Sequence, residues 1–380
     1  MTYKKGQYGY DLARLQKDVT TIELVAGNSR VVVVPELQGR VMTSTNAGGE
    51  GRSFGWINHK LTAPDECAPF FNSALGGEER FWLGPEEGRF SIFFEVGKPM
   101  TMKNRRVPAA IDTEKWDIEE VMPEMTTLSR EFSLVNYSGT GFRVEAKRRV
   151  GIIFKEEAEE ILKIHFGSTI RFVAYESLNQ IKNIGDSAWK KASGLLSIRM
   201  LSRYNSSPET TIVIPYKQER RGIVNDDYFD KAPPSVLKNK EGVAFFRAGG
   251  KYRSKSGFSA SLALPFVVSY DASNGVLTVL ETSIHSNVRY FENSSWHDYQ
   301  NNTSLGNGIN ACNGASGDHG NQPGSFYELE SFSPALDPEP GEARFHIQRT
   351  YHFEGEEKDL DKITEKILKV SLNQIKKAFE

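Results

Sequence analysis

The sequence predicts an all-β fold, a large two-sheet antiparallel β-sandwich closed by a C-terminal helix, and three observations carry that expectation. Short segments in which apolar and polar residues alternate recur along most of the chain. Turn-forming residues separate them, at Gly27-Asn28, 136–141, 205–208 and Asn274-Gly275. The regular strand–helix alternation of a parallel sheet is missing, which leaves antiparallel sheets packed face to face.

In chain order, residues 10–17 suit one or two helical turns with Leu12 and Leu15 inward. Strand patterns follow at 21–26, 30–34, 39–45, 89–96, 114–121, 126–135, 142–154, 160–174, 189–199, 210–215, 242–246, 258–264, 276–281 and 345–353. The segment 142–152 alternates most cleanly, with Phe142, Val144, Ala146, Val150 and Ile152 on one face and only Arg148 interrupting it. Residues 356–379 place Leu360, Ile363, Ile367 and Val370 at helical spacing, as a brace on the sandwich. There is no internal repeat, low-complexity tract or linker, so residues 1–355 are expected to form one β domain and 356–380 a helix packed on it.

Composition narrows the function classes. With 380 residues, 38% hydrophobic and 25% charged, the chain reads as soluble and globular. A formal net charge of −2 gives no electrostatic case for nucleic acid or an anionic membrane surface. No apolar run reaches the ~18 residues of a membrane span, and the basic N-terminus lacks the apolar stretch of a signal peptide. The chain as given therefore reads as cytoplasmic, or as periplasmic or secreted if a leader has been removed. Two cysteines, Cys67 and Cys312, are too few for a disulfide framework or a thiolate metal site.

The most informative stretch is 324–353. In an extended strand Phe326, Glu328 and Glu330 share one face while Tyr327, Leu329 and Ser331 share the other. Two acids on a partly aromatic face suit either the solvated side of an edge strand or an acid/base site. The run from Leu329-Glu330 through Pro340-Gly341-Glu342 to the final aromatic strand ending Thr350-Tyr351-His352-Phe353 resembles the C-terminal signature of the galactose mutarotase-like (aldose 1-epimerase) superfamily. The resemblance implies a supersandwich, a monosaccharide or oligosaccharide ligand, no cofactor, and Glu330 as catalytic base with Glu328 as the alternative. It further implies mutarotation, in which a carboxylate takes the anomeric proton while an acid protonates the ring oxygen. Burial beside Glu328 is expected to raise the pKa of Glu330, the direction that favours a base.

Three other segments extend the resemblance. Gly39-Arg40-Val41 is similar to the superfamily's N-terminal Gly-Arg strand. Leu75-Gly76-Gly77, followed by Arg80 and Trp82, resembles its His-Gly-Gly sugar-binding turn, with Leu75 where the histidine would stand. Charged groups beside a broad ring suit a sugar's hydroxyls and apolar CH faces, although a Gly-Gly turn with a core tryptophan fits the same residues. Asn179-Gln180 followed by Asn183 resembles the central Asn-His segment, with Gln180 in place of the catalytic histidine. An amide cannot act as a general acid near neutral pH, so Asn179 and Gln180 are expected to be passive contacts.

A replacement acid is expected from the Asn/Gly/Ser-rich segment 285–324, where His297 is the first choice and His319 the second, with Trp296 as a ring contact. His297-Asp298 and Asp318-His319 are not read as metal ligands, because adjacent residues on an extended chain point apart. Gly51-Arg52-Ser53-Phe54-Gly55 fits GxSxG, but no strand-to-helix turn surrounds it, so no nucleophile is assigned. A non-catalytic carbohydrate-binding protein is the alternative reading. Glycoside hydrolysis ranks last, since Glu328 and Glu330, ~6.7 Å apart along one strand, would both project from one side of the bond.

Overall fold

The computed structural model describes residues 2–59, 75–218, 224–225, 232–249, 253–284, 306–314 and 326–380. Its strands are β1 (Ile22–Ala26), β2 (Ser29–Val34), β3 (Arg40–Thr45), β4 (Arg80–Gly84), β5 (Asp117–Val121), β6 (Met125–Val135), β7 (Gly141–Ile152), β8 (Arg171–Asn183), β9 (Ser197–Asn205) and β10 (Thr210–Pro215). They continue with β11 (Val224–Asn225), β12 (Leu237–Lys240), β13 (Val243–Arg247), β14 (Ser254–Ser259), β15 (Phe266–Asp271), β16 (Val276–Thr282), β17 (Asn307–Gly314), β18 (Phe326–Phe332) and β19 (Ala343–Glu354). Among the described residues they form a ten-stranded sheet ordered β12-β13-β10-β15-β16-β19-β8-β7-β6-β5 and a six-stranded sheet ordered β11-β14-β17-β18-β9-β4. A small third sheet, β1-β2-β3, adds to the two that were expected.

The two large sheets pack on each other through a core that is apolar at its flanks and polar at its centre. Ile212, Leu280, Ile309, Leu329 and Tyr327 make one apolar flank. At the centre Arg148 meets Glu79 at 2.5 Å and donates to Asn179 Oδ1, which explains why an arginine interrupts the alternation of β7. Gln348 donates to Glu79 and to Ser202, while the Ser331 hydroxyl bonds Gln348 and the His346 ring. An interior charge pair costs desolvation energy, and these extra hydrogen bonds are what makes it tolerable.

The outer face of the ten-stranded sheet is covered by helices α2 (Lys155–Leu162), α3 (Glu357–Leu368) and α4 (Leu372–Lys376). Ala158, Leu162, Leu360, Ile363, Leu368, Leu372 and Ile375 bury against Val279, Tyr351 and Phe353. The expected single helix over 356–379 is thus two. Lys369 takes the left-handed conformation at φ 59°, and Ser371 with Gln374 starts the second helix by a capping box.

At the N-terminus α1 (Tyr8–Leu15) matches the expected turns. The segment 160–174 is the tail of α2 and the start of β8, because KEEAEEIL places Ala158 and Leu162 one helical turn apart with acids in the first turn. Residues 89–96 do not pair as a strand; Ile92, Phe93 and Phe94 are buried consecutively in a bend, with the Phe93 amide bonded to Ser91 Oγ. No helix among the described residues is long and apolar enough to cross a membrane.

Candidate active site

The outward face of the six-stranded sheet gathers the charged residues. Register places Arg80, Leu201, Glu330 and Asn310 in one cross-strand row, and Arg203, Glu328 and Cys312 in the next. Trp82, Arg199 and Phe332 form a third row. The alternation expected for 326–332 holds, since Tyr327, Leu329 and Ser331 point into the core while Glu328 and Glu330 share the opposite face. That face is not a solvated edge, because Glu330 is only 1% exposed.

Glu330 is held by three groups. Arg199 Nη2 lies 2.8 Å from Oε2, Asn310 Nδ2 donates to the same oxygen at 2.8 Å, and Lys255 Nζ lies 3.3 Å from Oε1. Burial would raise its pKa, but Arg199, Lys255 and the Asn310 amide outweigh burial and hold it down at about 2. This corrects the expected rise, and the reason is geometric. Glu328 is neutralised by its own partner, Arg203, and the cations sit closer to Glu330 than the second acid does.

Arg199 also pairs through Nη1 with Glu86. Burial acts against its charge, yet Glu330 and Glu86 raise its pKa above the usual value, so it is permanently cationic. Glu86 further accepts from Arg105 at 2.8 Å and from the Trp82 indole at 2.8 Å. Next to it, Glu87 is 8% exposed and its carboxyl makes no ion pair or hydrogen bond with the described residues. Burial first and the neighbouring Glu86 charge second push Glu87 up to about 7.

The expected ligand contacts divide between this face and other places. Arg80 shares the face of Glu330, two strands away, where it pairs with Asp112 at 2.6 Å and lies over the Trp82 ring at 4.2 Å. Burial lowers its pKa to about 10 against the pull of Asp112. Trp82 is 4% exposed, with Arg80 on its ring and Phe93 packed beside it, so it is not an open platform for a sugar. Arg40 is wholly buried and donates to the Gly76 carbonyl at 2.7 Å, which makes it a brace of the Gly-Gly turn. Gly76 and Gly77 have φ of 90° and 114°, and a Cβ on Gly77 would come within 2.5 Å of Arg40 Cδ.

Asn179 and Gln180 do not reach the Glu330 face, because β8 belongs to the other large sheet. Asn179 is spent between the sheets on Arg148, Ser177 and the His346 carbonyl, and Gln180 alternates to the opposite face of β8. The strand beside β18 is β9, which supplies Arg199 and Arg203. His297, Trp296 and His319 lie outside the described residues.

Sequence reasoning missed Arg199, Arg203, Lys255, Asn310, Glu86 and Glu87. Arg199 and Arg203 did leave a signal, two cations on one face of a single strand that mirror Glu328 and Glu330.

Ser53, of the GxSxG match, bonds Asp11 and Thr43, and Asp11 in turn meets His59 at 2.5 Å. The carboxylate stands between the serine and the histidine, an order that gives no nucleophile activation. Ser53, Asp11 and His59 line a cavity of about 340 Å³ together with Trp56, Tyr204 and His352. No cluster of three or more metal-ligating side chains occurs among the described residues.

This architecture is the galactose mutarotase-like β-sandwich fold. Similar solved structures include a proposed aldose 1-epimerase from Escherichia coli K12 with a TM-score of 0.52 and 12% identity, covering 89% of this chain and 100% of that one. A galactose mutarotase-like protein from Lactobacillus casei gives 0.52 and 6%, covering 88% and 100%. A proposed aldose 1-epimerase from Klebsiella pneumoniae gives 0.51 and 8%, covering 93% and 92%. Within that class the chain belongs to a family of unknown function (DUF6786), whose model matches residues 6–379. No curated protein matches the sequence.

Proposed function

We propose that this protein is an aldose 1-epimerase that interconverts the anomers of a monosaccharide or of the reducing end of an oligosaccharide, with Glu330 as the base. One observation supports the reading above the others. Glu330 is buried and ionised, and of the roughly four acceptor positions of a carboxylate, Arg199, Asn310 and Lys255 occupy three. The remaining position, on Oε1, suits an incoming anomeric hydroxyl. The proton from that hydroxyl passes to Glu330, an acid protonates the ring oxygen, and the C1–O bond of the ring breaks. Rotation about C1–C2 and closure on the other face give the other anomer, and both protons return. Acid/base assistance of this kind is worth roughly 10²–10⁴-fold, sufficient for a reaction that already proceeds in water.

A second reading, a non-catalytic carbohydrate-binding protein, is favoured by the same ion pairs, since a carboxylate near 2 is a weak base. Hydrolysis is disfavoured because Glu328 and Glu330 lie on one side of one strand, each with its own arginine. Polarimetry of freshly dissolved α-anomers of common aldoses, uronates and sugar phosphates decides between the first two. Acceleration by wild type that Glu330→Gln abolishes supports the epimerase. Sugar binding on a glycan array with no acceleration on any of these substrates supports the binding protein.

A further inference from the structure

We propose that Lys255 is the acid that protonates the ring oxygen while Glu330 takes the anomeric proton; this rests on the epimerase reading and completes it. The two oxygens that exchange protons in a cyclic hemiacetal are bonded to the same carbon, so the group that accepts one proton and the group that gives the other must stand side by side. Lys255 meets that condition. Its Nζ lies 3.3 Å from Glu330 Oε1, whereas Arg199 and Asn310 both bind the other oxygen, Oε2. The acceptor position that suits the hydroxyl is therefore on the oxygen that Lys255 approaches. The sheet register fixes this placement. Lys255 on β14 stands opposite Cys312 on β17, and Cys312 opposite Glu328 on β18, so the lysine is on the face that Glu328 shares with Glu330. The Lys255 side chain is 16% exposed against 1% for Glu330, so a solute reaches the ammonium more readily than the carboxylate.

Chemistry separates the three partners of Glu330 as proton donors. A guanidinium does not release its proton in a protein, and an amide has none to give near neutral pH, which removes Arg199 and Asn310. An ammonium can give a proton and take it back. It is also a much stronger acid than the alcohol formed when the ring opens, so the transfer to the departing ring oxygen runs downhill. Among the described residues the histidines lie elsewhere. His346 and His352 are between the sheets, His59 is beside Asp11, and His165 is exposed next to α2.

The step balances within the pair. The Glu330 carboxylate accepts the C1 hydroxyl proton, the bond from C1 to the ring oxygen breaks with its electrons going to that oxygen, and the Lys255 ammonium gives it a proton. An ion pair thereby becomes a neutral acid and a neutral amine, so no unpaired charge is left in a buried place, where it would be costly. The open-chain aldehyde closes by the reverse transfers, so neither residue is consumed and no oxidant or cofactor enters.

The test compares wild type, Lys255→Arg and Lys255→Ala on a sugar that wild type interconverts, each against an enzyme-free control at the same pH. Wild-type kcat/KM should hold through neutrality and fall only above pH ~9, where lysine ammonium groups ordinarily titrate. Lys255→Arg keeps a positive charge beside Glu330 without a transferable proton, and should fall roughly 10²-fold in kcat with little change in KM. In Lys255→Ala, small primary ammonium ions should restore part of the rate, and the more acidic ions should restore more at equal concentration of the protonated form. An alkaline limb centred near neutrality, as an imidazole or the Glu87 carboxyl would give, overturns the assignment. So does Lys255→Arg working at the wild-type rate, or a rescue indifferent to the acidity of the ammonium ion. Each of these leaves the epimerase reading standing, whereas a wild type inert on every sugar overturns both. Should circular dichroism show a variant to be unfolded, the wild-type pH profile decides alone.

Discussion

Arg199 and Glu330 are bonded at 2.8 Å across neighbouring strands, and the arginine's other nitrogen is spent on Glu86. One planar guanidinium thus fixes the carboxylate on β18 and the loop after β4 at the same time. Lysine would have to reach both carboxylates from one nitrogen, whereas arginine reaches Glu86 through Nη1 and Glu330 through Nη2.

For Arg199→Met, a loss of on the order of 3 kcal/mol in stability at pH 7 is expected, from the depression of Glu330 to about 2. A carboxyl whose folded pKa is depressed contributes stability that is present above its unfolded value, about 4.3, and is lost as pH falls towards 2. The gap between wild type and variant should therefore narrow below pH ~4. Urea unfolding at pH 7 and pH 3 measures it, and a gap independent of pH would show that Arg199 acts only by packing.

The pair Arg148–Glu79, closed to solvent on both sides, makes a separate expectation. Arg148→Met strands Glu79 in the core and should cost about 3–5 kcal/mol in chemical denaturation. The double change Arg148→Met with Glu79→Gln removes both charges and keeps an amide near Gln348, so it should recover a substantial part. Equal losses in the single and double variants would mean that volume, not charge, sets the cost.

The ten-stranded sheet was largely legible in the sequence because strands such as 142–152 are half buried and alternate, whereas of the six-stranded sheet only β18 was read in place. The expectation failed where burial is two-sided or the residues are poor strand formers. Residues 307–314, NGINACNG, carry two glycines and three asparagines, yet pair along their length between β14 and β18. That Glu328 and Glu330 share one face was legible because alternation along a strand is local. The partners of Glu330 were not, since Arg199, Lys255 and Asn310 come from three other strands that only the sheet order makes neighbours. The Asn179-Gln180 segment misled for the same reason, as nothing local tells which sheet a strand joins.

The Gly76-Gly77 turn has a structural role to test apart from sugar binding. Gly77→Ala places a Cβ 2.5 Å from Arg40 Cδ at a φ of 114°, so clash and strain combine. Gly139→Ala has a similar backbone at φ 84° but open space around it, and serves as the strain-only control. The control should lose roughly 1 kcal/mol or somewhat more, and Gly77→Ala should lose clearly more than that in thermal or urea unfolding. Equal losses would exclude the close approach to Arg40 as the reason for the glycine.

Glu87 should reduce the stability of the fold, and that cost is measurable without any substrate. Its folded pKa, about 7, lies above the unfolded value, so below pH ~4 the carboxyl is protonated in both states and costs nothing extra. Between pH ~4.3 and ~7 the unfolded chain ionises while the folded one holds its proton, and the penalty grows with pH until it levels off above 7. The full span is on the order of 3 kcal/mol. Glu87→Gln, which is neutral throughout, should therefore be more stable than wild type at pH 8, with the difference shrinking towards zero at pH 4. Paired urea titrations at the two pH values measure this. A variant that is equally or less stable than wild type at pH 8 would mean that the Glu87 carboxyl is solvated or paired in the folded protein.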